Sequence, residues 1–252
     1  MEIRVALTDV TKFRGDALVV NCLEGVKAPN EEMAKLDAIL GGTLRKLIHM
    51  REIAGKWGEQ TLVHTVGKLP VDRILVMGLG KPEEFTLDRV RIVSAEAVKH
   101  LRKVGARRIG CSLHGTGAQA EGHGLNSAQA VQALTEGAIL GLYRFARYKR
   151  EKGETKQDIE RLTIIEPDRK KLRALTEAVR RGRIIADAAN LARDLVNEPG
   201  NALTPTELGR RAIATARQSR MRGQVLGPEQ IRRLGARALL GVARGSREPP
   251  RL

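Results

Sequence analysis

Aromatic side chains are nearly absent from this 252-residue chain: Phe, Tyr and Trp together make up 2% of it. A core denied large rings must be assembled from Leu, Ile, Val and Ala. Cysteine is almost as scarce. Cys22 and Cys111 each sit inside an apolar run, which argues against a disulfide framework and predicts two buried, reduced thiols. No apolar run approaches the roughly 20 residues of a membrane-spanning helix. The opening "MEIRVALTDV" reads as a strand rather than a targeting signal, so a cytoplasmic protein is expected. The sharpest scarcity comes late. After Asp194 there is no aspartate, histidine or cysteine, and only four glutamates occur in the last 58 residues. A hydrolytic centre built on hard metal ions needs several carboxylates converging on them. This last part of the chain is therefore not itself expected to be a catalytic metal site, and the ligand-binding residues stay unknown.

What is abundant is arginine and lysine. The formal charge is +16, and residues 205–252 hold eleven arginines, three glutamates and no lysine. Half of the excess thus falls in the last fifth of the chain. A basic surface invites a nucleic-acid reading. It equally suits a segment that packs against an acidic surface.

The first two thirds alternate short apolar runs with helical patterns. "IRVAL" (3–7), "ALVVNC" (17–22), "TLVHTV" (61–66), "RILVMGLG" (73–80), "RRIGCS" (107–112) and "RLTIIEP" (161–167) read as strands. Helices are expected over 30–50, broken at Gly41 and Gly42, from an N-cap at Thr86 to about 104, and from about 126 to 145. This interleaving predicts an α/β sandwich with a mainly parallel or mixed sheet. Residues 147–160 read as a charged surface connection. A helical pattern then runs from about 168 to 197, too long for an ordinary surface helix, and predicts a bridge between two domains. Pro199 and Gly200 end it. Thr204, Pro205 and Glu207 restart a helix as cap, first helical position and capping box. A strand is expected at "GQVLG" (223–227), a short helix at "PEQIRRLG" (228–235), and a buried apolar element at 238–242.

Three local features compete for a functional role. Gly78-Leu79-Gly80 follows a strand and precedes a helix, as a dinucleotide fingerprint does, but Glu83 stands where the third glycine belongs. A plain turn is the simpler reading. "HGTGAQAEGHG" (114–124) could cradle a phosphate with its backbone N–H groups, yet it lacks the Gly-Lys-Ser/Thr ending of a P-loop. Of the five histidines, His49, His64, His100, His114 and His123, only the last two share a loop, with no cysteine nearby. No Gly-x-Ser-x-Gly, His-Glu-x-x-His or paired-cysteine signature occurs.

The stretch "NLARDLVNEPGNALTPTELGRRA" (190–212) resembles the segment that opens the catalytic domain of the leucyl aminopeptidase (cytosol aminopeptidase) family. The matching residues are Arg193 to Asn197, Pro199 to Asn201 and Leu203 to Pro205. "ALVVNCLEG" (17–25), "RILVMGLG", "EGAILGLYRFARYK" (136–149) and "LGARALLGVARGSREPPRL" (234–252) agree in order, so the resemblance covers the whole chain. It implies a three-layer, macro-domain-like N-terminal domain with a mixed sheet over 1–166. A bridging helix over 167–200 and the beginning of an incomplete α/β catalytic domain over 201–252 would follow. In that family a strand and two metal-binding segments follow the stretch matched by 245–250, and neither segment occurs here. The expectation is a chain cut before its metal site, inactive alone, with a structural or assembly role. For the full-length enzyme the resemblance implies a hexamer with two manganese or zinc ions, acting on peptide N-termini. Two other classes stay open: a nucleotide or ADP-ribose binding macro-like module using the glycine loops at 78–80 and 114–124, and weak non-specific nucleic-acid binding through the arginines.

Overall fold

A computed structural model describes residues 1–113, 126–148 and 158–252. Six strands form one sheet: β1 (Glu2–Leu7), β2 (Gly15–Cys22), β3 (Gln60–His64), β4 (Val71–Gly78), β5 (Arg108–Cys111) and β6 (Arg161–Glu166). Their spatial order is β1-β6-β5-β2-β4-β3. Every neighbouring pair is parallel except β3 with β4, a hairpin, so the sheet is mixed. Helices α1 (Glu31–Ile39) and α2 (Thr43–His49) belong to one face, and α3 (Leu87–Lys103), α4 (Ser127–Gly141) and the first half of α5 (Leu172–Asn197) to the other.

The central strands explain themselves. Ala17 and Val19 of β2 enter the core of α3, α4 and α5, while Leu18, Val20 and Cys22 enter that of α1 and α2. In β4, Leu75 and Met77 take the first side, and Ile74 and Val76 the second. Side chains alternate along a strand, so a strand covered on both faces must be apolar at every position. That is why these runs are continuous in the sequence. Three layers result, and the rings that the composition withholds are replaced by two cores of aliphatic side chains.

Helix ends follow the expected chemistry. Asn30, Thr86 and Asn126 each accept a backbone N–H of the first turn they precede. The α3–α4 crossing is unusually close. A Cβ on Gly137 would lie 2.1 Å from the Arg91 carbonyl oxygen, and one on Gly141 would lie 2.7 Å from the Ala95 Cα. Beside this contact Arg91 Nε donates to the buried Glu136 carboxylate at 2.6 Å, and Gln132 donates to its other oxygen at 2.9 Å.

The β3–β4 hairpin turns on Val66 and Gly67, with φ of +50° and +76°, closed by Lys68 N–H donating to the Thr65 carbonyl at 3.1 Å. Two consecutive positive φ values suit a tight turn within this connection but strain a β-branched residue. Val66 is 86% exposed and so gains little from burial. Val66→Asn should therefore stabilise the protein by about 1 kcal/mol, since asparagine enters the left-handed region readily. A higher urea midpoint with an unchanged slope is the expected reading.

The chain divides into two compact units, Met1–Asn190 and Leu191–Leu252. The first takes in most of α5: Leu175, Ala178, Val179, Gly182 and Ala186 form its buried stripe. In the second, only Glu198, Gly209 and Ile231 are buried. It contains α6 (Pro205–Gln218), α7 (Pro228–Arg233) and α8 (Arg237–Ala243). Two expectations fail here. The strand expected at 223–227 is irregular, reduced to one reciprocal backbone pair in which Leu226 and Leu252 exchange N–H···O bonds of 2.7 and 3.2 Å. The buried element expected at 238–242 is the helix α8, none of whose residues is buried; Val242 is 87% exposed.

Candidate functional site

The turn at 78–80 stands at the carboxyl ends of parallel strands, where open α/β sheets bind ligands. Its backbone donors are already engaged. Gly78 N–H donates to the Glu59 carbonyl at 2.8 Å, Leu79 N–H to that of Cys22 at 2.9 Å, and Gly80 N–H to that of Gly55 at 2.9 Å. Arg89 from α3 lies over the Trp57 ring at 4.5 Å and pairs with Glu84 at 2.7 Å, packing beside the turn. This is a structural turn with no N–H left for a phosphate. The glycine loop 114–124, with His114 and His123, lies outside the described residues.

Near the same sheet edge is a polar group that the sequence reading did not single out. Asn30 Nδ2 donates to the Asn21 carbonyl at 2.8 Å, and Asn21 Nδ2 approaches Ser112 Oγ at 3.4 Å. Burial pushes the Glu32 carboxyl above the usual carboxylate range, against the opposing bond from Ser112. Asn30, an asparagine ahead of an acidic helix start, was the only sequence signal for it.

The other candidates stand apart. His49 and His64 are exposed. His100 lies with Nδ1 2.8 Å from Gln60 Oε1, its pKa lowered by burial and then by Lys103. Cys22 and Cys111 are free and buried, as expected; burial pushes the Cys22 thiol up to about 12 and that of Cys111 upward too, so neither is a nucleophile at neutral pH. Among the described residues no three His, Cys, Asp or Glu side chains gather where they could hold a metal ion. No described helix is long and apolar enough to cross a membrane.

In the second unit the end of α5 passes through Pro199-Gly200-Asn201 into α6. Ala202 and Leu203 N–H both donate to the Pro199 carbonyl, at 2.8 and 2.9 Å, and Thr204 caps α6 by accepting from Glu207 N–H. The reciprocal half of the expected capping box is not made. The Glu207 carboxylate instead holds Arg210 and Arg211, and Arg211 reaches on to the buried Glu198 at 3.0 Å. Arg210 and then Arg211 lower the Glu207 pKa to about 2. A depressed carboxylate contributes stability above its unfolded value, near 4.5, and loses it as pH falls towards 2. Acidification through that window should loosen α6, and Glu207→Gln should remove the pH dependence. Far-UV circular dichroism against pH reads both.

A buried-sheet α/β unit whose last helix runs into the capped loop 198–205, followed by a smaller helical unit, defines a two-unit α/β chain. The profile described as the cytosol aminopeptidase family, N-terminal domain, matches residues 19–152, and that of the same family's catalytic domain matches 190–252. The chain belongs to the cytosol aminopeptidase family. A probable cytosol aminopeptidase of Alkaliphilus metalliredigens is 33% identical over 253 residues, and one of a Geobacter species 35% over 256. All of this chain aligns in both cases, against 50% and 49% of the relative. Among solved structures, a mutant tomato leucine aminopeptidase shares the fold over the whole chain and 49% of its own, with a TM-score of 0.80 and 22% identity. The bottromycin maturation enzyme BotP, in complex with Mn, matches 94% of this chain and 44% of its own, with a TM-score of 0.70 and 26% identity. The chain spans about half the length of the curated relatives it matches.

Proposed function

We propose that this chain is the N-terminal portion of a leucyl aminopeptidase-like metallo-exopeptidase, which as a whole removes N-terminal amino acids from peptides in the cytoplasm. The observation that carries this reading is the order of the two family matches, with the catalytic-domain match beginning at residue 190 and filling the rest of the chain. The whole enzyme would be a hexamer using two manganese or zinc ions to activate water; manganese is what BotP holds. The described residues do not supply the donor set of such a centre, so none is given a metal-binding or catalytic role. The chain alone would be inactive, and its role is to support assembly and access. The pure chain, with added manganese or zinc, is expected to release no product from a leucyl chromogenic substrate. Metal-dependent turnover would contradict the reading.

A second property follows from the arginines. Arg210 and Arg233 have side chains 70% and 81% exposed, in a segment that carries half of the chain's net charge. We infer weak, non-specific attraction to nucleic acid that vanishes steeply with salt. The nucleotide and ADP-ribose reading is not retained: the N–H groups of the turn at 78–80 are engaged by protein carbonyls, and the family matches favour the aminopeptidase reading.

A further inference from the structure

A cavity of about 250 Å³ opens beside the first half of α5, lined among others by Arg183, Asp187, Asp158, Ile139, Leu142 and Ile159. All of these belong to the larger unit. The cavity is somewhat smaller than the range of roughly 300–1,000 Å³ typical of drug-sized ligands, a size that suits a small molecule. Its charges are arranged unusually. Arg183 and Asp187 stand one helical turn apart, a spacing at which opposite charges commonly pair. Here they do not. Arg183 donates to the Met1 carbonyl at 3.1 Å and has no carboxylate partner among the described residues. Asp187 makes no hydrogen bond or ion pair among them. Asp158 adds a second carboxylate to the lining, held only at 3.7 Å by Arg102. Ile139 and Leu142, only partly buried against the larger core, add aliphatic surface to the lining.

A cation and an anion left unpaired beside aliphatic surface are complementary to a zwitterion with an aliphatic side chain. We propose that this cavity binds a free aliphatic α-amino acid, with the carboxylate on Arg183, the ammonium on Asp187 and Asp158, and the side chain on Ile139 and Leu142. Such a ligand is also what an aminopeptidase releases. The site would then let product act on the N-terminal domain, a consequence that rests on the proposed function, whereas the binding does not.

Calorimetric titration of the whole chain with L-leucine tests the binding. A saturable isotherm with Kd on the order of 1 mM is expected for so small a ligand. Leucinamide, which lacks the carboxylate, and 4-methylpentanoate, which lacks the ammonium, should each bind about tenfold more weakly. Arg183→Gln should weaken leucine about tenfold and leave leucinamide unchanged. Absence of saturable leucine binding overturns the proposal, and so does equal binding of all three compounds. Because the comparison of ligands uses the unaltered chain, it holds even if the variant misfolds. Peptidase activity enters none of these readings, so failure of the proposed function would leave the test intact.

Discussion

Gly137→Ala is expected to destabilise the larger unit by about 3 kcal/mol, a loss that overpacking reaches where the neighbour cannot move. The new Cβ would lie 2.1 Å from the Arg91 carbonyl oxygen and 2.8 Å from its Cα, both backbone atoms. Helix α4 must therefore lift away from α3. That shift pulls Glu136, 4% exposed, from the guanidinium that neutralises it. Breaking such a pair adds to the steric term. Alanine's better helix propensity returns only about 1 kcal/mol. Gly241→Ala in α8 is the control: nothing lies within 4 Å of its Cβ, so only the propensity gain should appear. Urea unfolding of the two variants reads the difference, and a neutral Gly137→Ala would mean the helices are not in this contact.

Cutting the chain at 166 should abolish cooperative folding, whereas cutting it at 190 should preserve it. Residues 1–166 were the N-terminal domain expected from the alternation of strands and helices. The buried stripe of α5, with Leu175 1% and Ala186 0% exposed, argues for a longer folding unit. We propose that it reaches about Asn190. Burying a side chain such as Leu175 or Val179 contributes about 1.5–3 kcal/mol, so losing the stripe removes a large share of a domain's marginal stability. Without α5, Gln132 and Thr135 would also lose the helix that Gly182 lets approach them. Limited trypsin digestion of the whole chain gives the same boundary from another side. Early cuts are expected among the arginines from 217 to 247, with a surviving core that ends on α5. A cooperative transition in 1–166 would restore the shorter boundary.

The first unit was legible because its strands announce themselves. Runs such as "ALVVNC" and "RILVMG" are apolar at every position only when both faces are covered, and Thr86 marks a helix start with a side chain that caps it. The second unit was legible only in its caps. Thr204 and Pro205 fix where α6 begins whatever surrounds it. The apolar run at 238–242 was expected to be buried and instead forms the exposed helix α8, because apolar character alone does not say whether a covering surface is present. The capping box failed similarly: Glu207 had two arginines within reach, and charge-assisted pairs outcompete a bond to one backbone N–H. The cavity beside α5 was invisible because its lining comes from separate stretches joined only by packing.

The central claim is that this chain carries the family's N-terminal domain and the opening of its catalytic domain without holding the metal centre itself. Counting bound metal tests it most directly. The pure chain is incubated with manganese or zinc, desalted, and its metal measured by atomic spectrometry against protein concentration. Substoichiometric metal, unchanged by Glu198→Gln, is the predicted result. Two ions retained per chain would contradict the account.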